Sequence, residues 1–299
     1  MKRSLSEKTY NSFYYYYLHF KCGRIPKLLN LKHPTTFNEK TIWLKMNHRY
    51  GNAHLLADKV RVKEYVSNVL DAKYLVPTIA VYDRAEDVDF ERLPESFVLK
   101  ANHGSAWNII CRNKAALNIQ ETRSKLAGWL NSNYYETGKE YQYKDIPPKI
   151  LCETYLENSP DHPLVDYKVF CFSGEPRYIQ VDLDRFTHHT RNFYDLNWNL
   201  LPFTTLYPLG RRVLSRPAAL DEMLLVARTL SAGMVFARVD LFLFDGRVYF
   251  GEITLHHGGG FEPFVPAKYD RVLGEQMHLP IHEHTGNSGS NESIRKNEI

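Results

Sequence analysis

Several kinds of protein are excluded by what this 299-residue sequence lacks. No run of about 20 apolar residues occurs, so the sequence offers no membrane-spanning helix. Residues 1–20 contain charged residues and tyrosines where an export signal needs an apolar core, and we therefore expect no such signal. Neither GxxxxGK[ST] nor GxGxxG is present, which argues against P-loop and Rossmann nucleotide sites.

The sequence also lacks closely spaced cysteines. Its four cysteines form no CxxC pair and are far apart: Cys22, Cys111, Cys152 and Cys171. This spacing is typical of reduced thiols in a cytoplasmic protein and speaks against a disulfide framework or a zinc-binding cysteine cluster.

The net charge of +4 is unevenly distributed. Residues 1–75 carry 14 Lys and Arg against 5 Asp and Glu, or +9, which leaves 24 against 29, or −5, for the remainder. The basic part contains an aromatic block, residues 13–20, flanked by Lys8, Lys21 and Arg24. Such a segment suits a membrane surface or internal packing, and we favour packing because tyrosine rings commonly pack inside proteins. Without a recognisable binding motif, we expect no nucleic-acid partner.

Residues 238–260, RVDLFLFDGRVYFGEITLHHGGG, have the pattern of a β-hairpin with an Asp-Gly turn. If residues 244–246 form a three-residue loop, Asp240, Glu252 and Thr254 project from one face of the sheet. A two-residue loop would instead place Asp240 and Glu252 on opposite faces. Two carboxylates among apolar residues need compensation, which a divalent cation supplies.

An ordinary hairpin is the alternative to this metal site. In that case Asp240 pairs with Arg238 or Arg247, and Glu252 faces solvent. The rest of the chain favours the metal interpretation because it supplies further nucleotide-site motifs.

The other elements predicted from the sequence follow in chain order. Thr36 and Glu39 form a capping-box pattern that predicts a helix start. Residues 58–69, DKVRVKEYVSNV, predict an amphipathic helix whose apolar positions are Val60, Tyr65, Val66 and Val69. The remaining predicted elements are a strand ending at Lys100 with a small polar loop, a returning strand, a helix at 119–131, a strand at 150–157, a hairpin at 166–175 and a helix at 220–232.

Together these motifs resemble the ATP-grasp superfamily. More narrowly, FNEKTIWLK, HGSAWNII, DYKVFCFSG and the hairpin at 238–260 resemble the TupA-like ATP-grasp proteins over roughly residues 8–280. The resemblance implies an α+β ATP-grasp fold, with two α+β lobes clasping ATP and a helical, basic N-terminal region. It also implies ATP and Mg²⁺ as cofactors.

The resemblance implies a role for each matching residue. Arg238 and Lys100 would stabilise the transferring phosphoryl group, and Asp240, Glu252 and Thr254 would bind magnesium. The nucleotide site would comprise Lys59, Lys100 and Lys168, the loop His103, Gly104 and Ser105, the adenine hinge Glu153, Thr154, Tyr155 and Leu156, and Glu157 or Asp161 at the ribose. Apart from the resemblance, we expect contact with the substrate at Arg185, His256, His257, Gly258, Gly259 and Gly260. Thr254 replaces the more usual Asn, and Ala106 stands where another loop glycine is expected.

We divide the chain on this basis into five parts. Residues 1–55 form the helical basic region and 56–95 the N-terminal ATP-grasp lobe. Residues 96–165 form the central subdomain with the phosphate loop and hinge, and 166–281 the C-terminal lobe with the metal site. Residues 282–299 are rich in Ser, Asn and charge, which predicts a disordered tail.

The implied activity is an ATP-dependent carboxylate–amine ligase that forms an amide through an acyl phosphate and releases ADP and phosphate. TupA-like proteins are encoded among capsule and teichuronopeptide functions. We therefore expect a carboxylate-bearing glycan or sugar as acceptor and an amine or amino acid as donor. The N-terminal region would suit a lipid-linked or anionic acceptor at the inner membrane face.

Three alternatives compete with this hypothesis. Asp182-Leu183-Asp184 is a DxD pattern, which would suit a metal-dependent glycosyltransferase, although DxD is common by chance. A zinc site could use His188-His189 and His256-His257, but neighbouring strand residues point to opposite faces. A non-catalytic nucleotide-binding scaffold is the third, and the apparently complete set of phosphate and metal residues argues against it.

Overall fold

The computed structural model describes residues 5–156, 164–184 and 187–280. The helices in these ranges are α1 (Glu7–Lys21), α2 (Phe37–Asn47), α3 (Ala53–Ala57), α4 (Val62–Val69), α5 (Ile119–Leu130), α6 (Tyr135–Gly138), α7 (Leu220–Leu230) and α8 (Lys268–Glu275). The strands are β1 (Thr78–Tyr82), β2 (Phe97–Ala101), β3 (Asn108–Cys111), β4 (Ile150–Thr154), β5 (Asp166–Phe172), β6 (Glu175–Leu183), β7 (Thr190–Tyr194), β8 (Leu200–Leu201), β9 (Thr204–Thr205), β10 (Phe236–Phe244), β11 (Arg247–Thr254) and β12 (Phe264–Val265).

The smaller of the two main sheets has the antiparallel order β1-β4-β2-β3. In β2, Phe97, Leu99 and Ala101 are buried and join one core with Leu126 of α5. Because side chains alternate along a strand, Val98 and Lys100 lie on the opposite face. That opposite face carries the first half of the candidate site.

The larger sheet has the antiparallel order β11-β10-β5-β6-β7-β8. One face contributes Val169, Val239 and Leu241 to the largest hydrophobic core, together with α7. The other face has an aromatic part around Phe170, packed on α2 and α8, and a polar part that carries the second half of the candidate site. A short ladder joins β9 to β12.

The hairpin β10–β11 corrects the predicted turn. Its loop has two residues, Asp245 and Gly246, both with positive φ, and Phe244 pairs with Arg247. The three-residue loop is therefore wrong. Asp240 nevertheless lies opposite Glu252, because a bulge leaves Gly251 unpaired and shifts the register by one residue.

The N-terminal helices and the Thr36 capping box are present as predicted. In α4, which begins only at Val62, Val66 is buried, whereas Val69, another of the predicted apolar positions, is 40% exposed. In the aromatic block, Tyr15 is buried, as internal packing requires, whereas Phe13 is exposed. None of the described helices is long and apolar enough to cross a membrane.

Two sequence predictions stay predictions here. The boundaries of the five parts are untested. The segment expected to be disordered, 282–299, lies outside the described residues.

Candidate functional site

A buried carboxylate held by two lysines forms the first half of the site. Glu153 on β4 pairs with Lys63 of α4 and, at 2.6 Å, with Lys100 of β2. Lys100 lies directly opposite Leu151, one diagonal step from Glu153 on the same face of the sheet. Burial alone would raise the pKa of Glu153, but Lys100 and Lys63 outweigh it and hold this pKa below its usual value.

Lys59 extends this cluster towards the larger sheet. Its Nζ donates to the carbonyl oxygen of Gly104 at 2.6 Å and lies 3.8 Å from Glu252 Oε2. Burial lowers the pKa of Lys59, and the neighbouring Lys100 acts in the same direction while Glu252 opposes it. The lysines of this region are thus close enough to repel one another, and an additional anion would relieve that repulsion.

The predicted phosphate loop follows β2. Ala106, where a glycine was expected, has φ +60°, a conformation that is strained for a residue with a side chain. The His103 ring is buried, with Nδ1 3.0 Å from Asn102 Oδ1 and Nε2 3.0 Å from the Trp129 carbonyl oxygen. The His103 ring therefore makes its hydrogen bonds inside the part of the protein built on the smaller sheet. Ser105, in the same loop, is partly exposed.

The predicted adenine hinge lies at the end of β4. The Thr154 amide donates to the Pro77 carbonyl oxygen at 3.1 Å, and the Tyr155 hydroxyl accepts from Arg112 at 2.7 Å. Leu156 is buried and packs in one cluster with Val76 and Tyr249. Both ribose candidates, Glu157 and Asp161, lie outside the described residues.

The crevice between the two sheets is nearly closed. Its cavity has a volume of about 10 Å³ and is lined by residues of both sheets, among them Lys100, Glu153 and Phe250, and by Leu75, which precedes β1. Small-molecule sites commonly have volumes of about 300–1,000 Å³. This cavity is therefore too small to hold a nucleotide in the conformation described.

A second charged cluster lies on the polar face of the larger sheet. Arg238 binds Asp240 through two hydrogen bonds of 2.7 Å each, and its Nη2 is 3.3 Å from Glu252 Oε1. Lys168 donates to Asp240 at 2.7 Å and also to Asp166. This cluster confirms that Asp240 and Glu252 lie together, and it also contains the Arg238–Asp240 pair of the alternative interpretation.

Charge pairing sets the protonation of this cluster. Burial opposes ionisation of Asp240, but Arg238 and Lys168 outweigh it and lower its pKa. Burial would lower the pKa of Arg238 and of Lys168, but neighbouring carboxylates raise both values. Asp240 contributes most to the rise at Arg238, and Asp166 contributes most to the rise at Lys168. Asp240, Arg238 and Lys168 are therefore charged at neutral pH.

The donor set fits a magnesium ion bound together with phosphate. Asp240, Glu252 and the Thr254 hydroxyl offer oxygen ligands, which Mg²⁺ prefers. The Glu252 side chain is 32% exposed and so provides the accessible carboxylate, whereas Asp240 is buried behind it. Within the described part of the chain, no group of three His, Cys, Asp or Glu could hold a metal. Phosphate oxygens and water would thus complete the coordination.

A polar network continues from this cluster along the same face. Arg238 Nη1 donates to His257 Nδ1 at 2.8 Å, which leaves the proton of the neutral ring on Nε2, 3.2 Å from Glu262 Oε2. Glu262 in turn accepts from Arg191 at 2.6 Å, and Arg191 pairs with Asp182 at 2.6 Å. Burial would raise the pKa of Glu262, yet Arg191 and His257 hold it well below its usual value.

The predicted substrate residues have mixed positions. His256 is buried, 3.7 Å from Glu140, and Gly258, Gly259 and Gly260 all have positive φ. A Cβ on Gly260 would lie 2.7 Å from Ile42 Cγ1, so close packing on α2 requires this glycine. Arg185 lies outside the described residues.

The geometry does not assemble the DxD pattern into a metal site. Asp182 is buried between Arg191 and His189, whereas Asp184 lies beyond the end of β6 and pairs with Arg212 at 3.3 Å. The DxD carboxylates thus have separate partners.

Four residues of the charged clusters and the polar network were missing from the predicted site residues. Lys63 carried a signal, since it follows Lys59 by four residues in the predicted helix, and Asp166 belongs to the DYK motif. Glu262 and Arg191 gave no signal, because only the fold brings them to each other and to His257.

Known proteins share parts of this sequence and of this fold. Residues 39–278 match the family described as TupA-like ATPgrasp, and the chain therefore belongs to that family. The match confirms the predicted family and its α+β ATP-grasp fold, and ATP-grasp proteins bind ATP with Mg²⁺. The roles of single residues stay predictions.

Solved structures show a more distant similarity. D-alanine–D-alanine ligase from Bacillus anthracis, complexed with ATP, is 18% identical, with a TM-score of 0.39 over 67% of this chain and 54% of that one. Phosphoribosylamine–glycine ligase from Thermotoga maritima is 15% identical, with a TM-score of 0.43 over 68% and 48%. The chain thus spans about half the length of these proteins. No curated protein matches it.

Proposed function

We propose that this protein is an ATP-dependent carboxylate–amine ligase. The observation that carries the proposal is the contact between two oppositely charged clusters, made by Lys59 and Glu252 at 3.8 Å. The lysine side of this contact suits the phosphates of ATP, and the carboxylate side suits Mg²⁺. ATP with Mg²⁺ supplies the phosphoryl group that activates a carboxylate for attack by an amine.

The residues of the chain position and neutralise the reactants. Lys59 and Lys100 would hold phosphate oxygens, and Arg238 would stabilise charge that develops on the transferred group. Lys168 keeps Asp240 ionised and fixed in place. No side chain is needed as a nucleophile, because phosphoryl transfer depends mainly on positioning and electrostatics.

We place the acceptor carboxylate beside the network of His257, Glu262 and Arg191. This network begins at Arg238 and lies on the same face of the sheet as Asp240. Arg191 already holds the carboxylates of Asp182 and Glu262, so an acceptor carboxylate bound to this arginine would replace one of them. The acceptor class that we propose is a carboxylate-bearing surface glycan or its precursor, and the donor is an amine such as an amino acid, both handled in the cytoplasm.

Acceptor-screened ATP turnover tests the proposal. The protein is incubated with Mg²⁺, ATP, uronic-acid sugars and amino acids, and nucleotides and new masses are identified. ADP, phosphate and a product one water lighter than its two substrates would support a ligase. UDP release from UDP-sugars without ATP use would overturn it in favour of a glycosyltransferase, and ATP binding without any turnover would indicate a scaffold.

A further inference from the structure

The N-terminal segment exposes an unusual amount of apolar surface. Ile25 is 95% exposed and Leu28 88%, directly after Phe20, which is 63% exposed. On α1, Phe13 and Tyr17 are also exposed and stack with ring centroids 6.1 Å apart. Single exposed apolar residues are ordinary, but five of them within one short segment mark an interaction surface. We call these five residues the apolar-basic surface, together with the intervening Lys21, Arg24 and Lys27.

The opposite side of α1 is fixed to the protein. Tyr10 and Tyr15 are buried, and Tyr14 lies against Phe261 with ring centroids 5.2 Å apart. The Tyr10 hydroxyl donates to the Thr137 carbonyl oxygen at 2.6 Å. The exposed side of α1 is therefore held in a fixed position by the packing of its buried side.

Charge defines the partner that this surface suits. Residues 8–28 contain Lys8, Lys21, Arg24 and Lys27 and no Asp or Glu. Two copies of the chain meeting through this surface would bring like charges together. An anionic bilayer instead attracts the basic side chains and accepts the apolar ones between its headgroups.

A cavity lies beside the apolar-basic surface. Its volume is about 290 Å³, and α1, the segment after it and α8 contribute to its lining, with Arg24, Lys27, Lys268 and Arg271 as basic residues. Glu39 and Asp270 also line it, but their carboxylates accept backbone amides at the start of α2. The cavity thus adds basic side chains from a distant part of the chain to the same surface.

We propose that the apolar-basic surface binds an anionic lipid bilayer, with a lipid phosphate at the basic side chains beside the cavity. This goes beyond the proposed ligase activity and does not depend on it. The ATP site would be intact in a protein that failed to bind membranes, and membrane binding could occur without turnover.

Co-sedimentation with vesicles tests this inference. We expect the full chain to bind vesicles of phosphatidylcholine with phosphatidylglycerol, to bind phosphatidylcholine alone weakly, and to lose binding as salt rises. The Ile25→Ser/Leu28→Ser and Arg24→Glu/Lys27→Glu double variants should each bind at least about tenfold more weakly. All four side chains are exposed, so both variants should fold.

A matched control uses exposed apolar residues elsewhere. Val213→Ser/Leu225→Ser changes side chains that are likewise exposed and should leave vesicle binding unchanged. Absence of wild-type binding to anionic vesicles would overturn the inference, as would equal losses in the control. A dimer abolished by Ile25→Ser/Leu28→Ser, without vesicle binding, would overturn it in favour of contact between copies. ATP binding, measured in parallel, should be the same in all variants.

Discussion

The two charged clusters of the site differ in the sign of their excess charge. In the lysine cluster, Lys59, Lys63 and Lys100 face the carboxylates of Glu153 and Asp58, which leaves three positive charges against two negative. In the hairpin cluster, Arg238 and Lys168 face Asp166, Asp240 and Glu252, which leaves two positive charges against three negative.

This difference separates structural pairing from ligand binding. Partly buried excess charge is unfavourable unless something compensates it. The positive excess is complementary to phosphate and the negative excess to a divalent cation, so the two clusters together match a magnesium–nucleotide complex. The remaining ion pairs hold each cluster in shape.

The largest expected effect comes from the carboxylates of the hairpin cluster. Glu252→Gln and Asp240→Asn should each reduce Mg²⁺-dependent ATP turnover by at least about a thousandfold, because metal-held charge supplies several kcal/mol of transition-state stabilisation. Steady-state kinetics across Mg²⁺ concentrations measures this. Full activity in either variant would remove the metal assignment.

The same two variants should differ in stability. Asp240 is buried between Arg238 and Lys168, so its loss leaves buried positive charge and should lower the free energy of unfolding by about 3–5 kcal/mol. Glu252 is partly exposed, and Glu252→Gln should change stability by less than about 1 kcal/mol. Urea unfolding provides the measurement. Equal losses in both variants would show that the clusters do not divide structural and ligand roles in this way.

The next effect concerns the lysine cluster. Lys100→Met should weaken ATP binding about ten- to hundredfold, the loss expected for one charge-assisted hydrogen bond. Lys63 also donates to the Val76 carbonyl oxygen at 2.7 Å and the Thr78 hydroxyl at 2.8 Å, so Lys63→Met should affect stability more than affinity. Calorimetric titration with Mg²⁺ and ATP, alongside unfolding, would separate the two. A larger loss of ATP affinity in Lys63→Met than in Lys100→Met would assign the phosphate contact to Lys63 instead.

A smaller effect should follow from pH. Burial lowers the pKa of His103 in the small lobe and of His256 and His257 beside the hairpin. Below pH about 6.5 the unfolded chain binds protons that the folded chain does not, so stability falls as pH decreases from there. The slope should reach at most about 1.4 kcal/mol per pH unit for each histidine.

Replacing one of these histidines shows whether it causes the pH dependence of stability. His256→Gln should flatten the decrease in the free energy of unfolding between pH 7.5 and 5.5, whereas the exposed control His33→Gln should not. Urea unfolding at both values, with wild type in parallel, gives the comparison. An unchanged slope in His256→Gln would mean that this histidine can be protonated in the folded protein.

Sequence reasoning predicted the elements of the site better than their connections. The hairpin, the strand ending at Lys100 and the DYK strand follow from local patterns, and these survive in the fold. The bulge at Gly251 could not be predicted, because the spacing between Asp240 and Glu252 permits several registers. The pairing of Lys100 with Glu153 depends on the register of β2 against β4, which joins segments about fifty residues apart and has no local signal.

The smallest expected effect tests the loop after β2, which accepts a hydrogen bond from Lys59. Ala106 has φ +60°, which costs an L-residue roughly 1 kcal/mol. In the same loop, the carbonyl oxygen of Gly104 accepts that hydrogen bond from Lys59. Ala106→Gly removes that strain but adds about as much unfolded-state entropy, so the melting temperature should change little. The control Ser105→Gly relieves no such strain and should lower stability by about 0.5–1 kcal/mol. A loop freed in this way must be ordered on binding, so ATP affinity in Ala106→Gly should fall about two- to fivefold. Equal destabilisation by both substitutions would show that the positive φ is not a strain on this loop, and unchanged affinity would show that its stiffness does not assist closure over the phosphates.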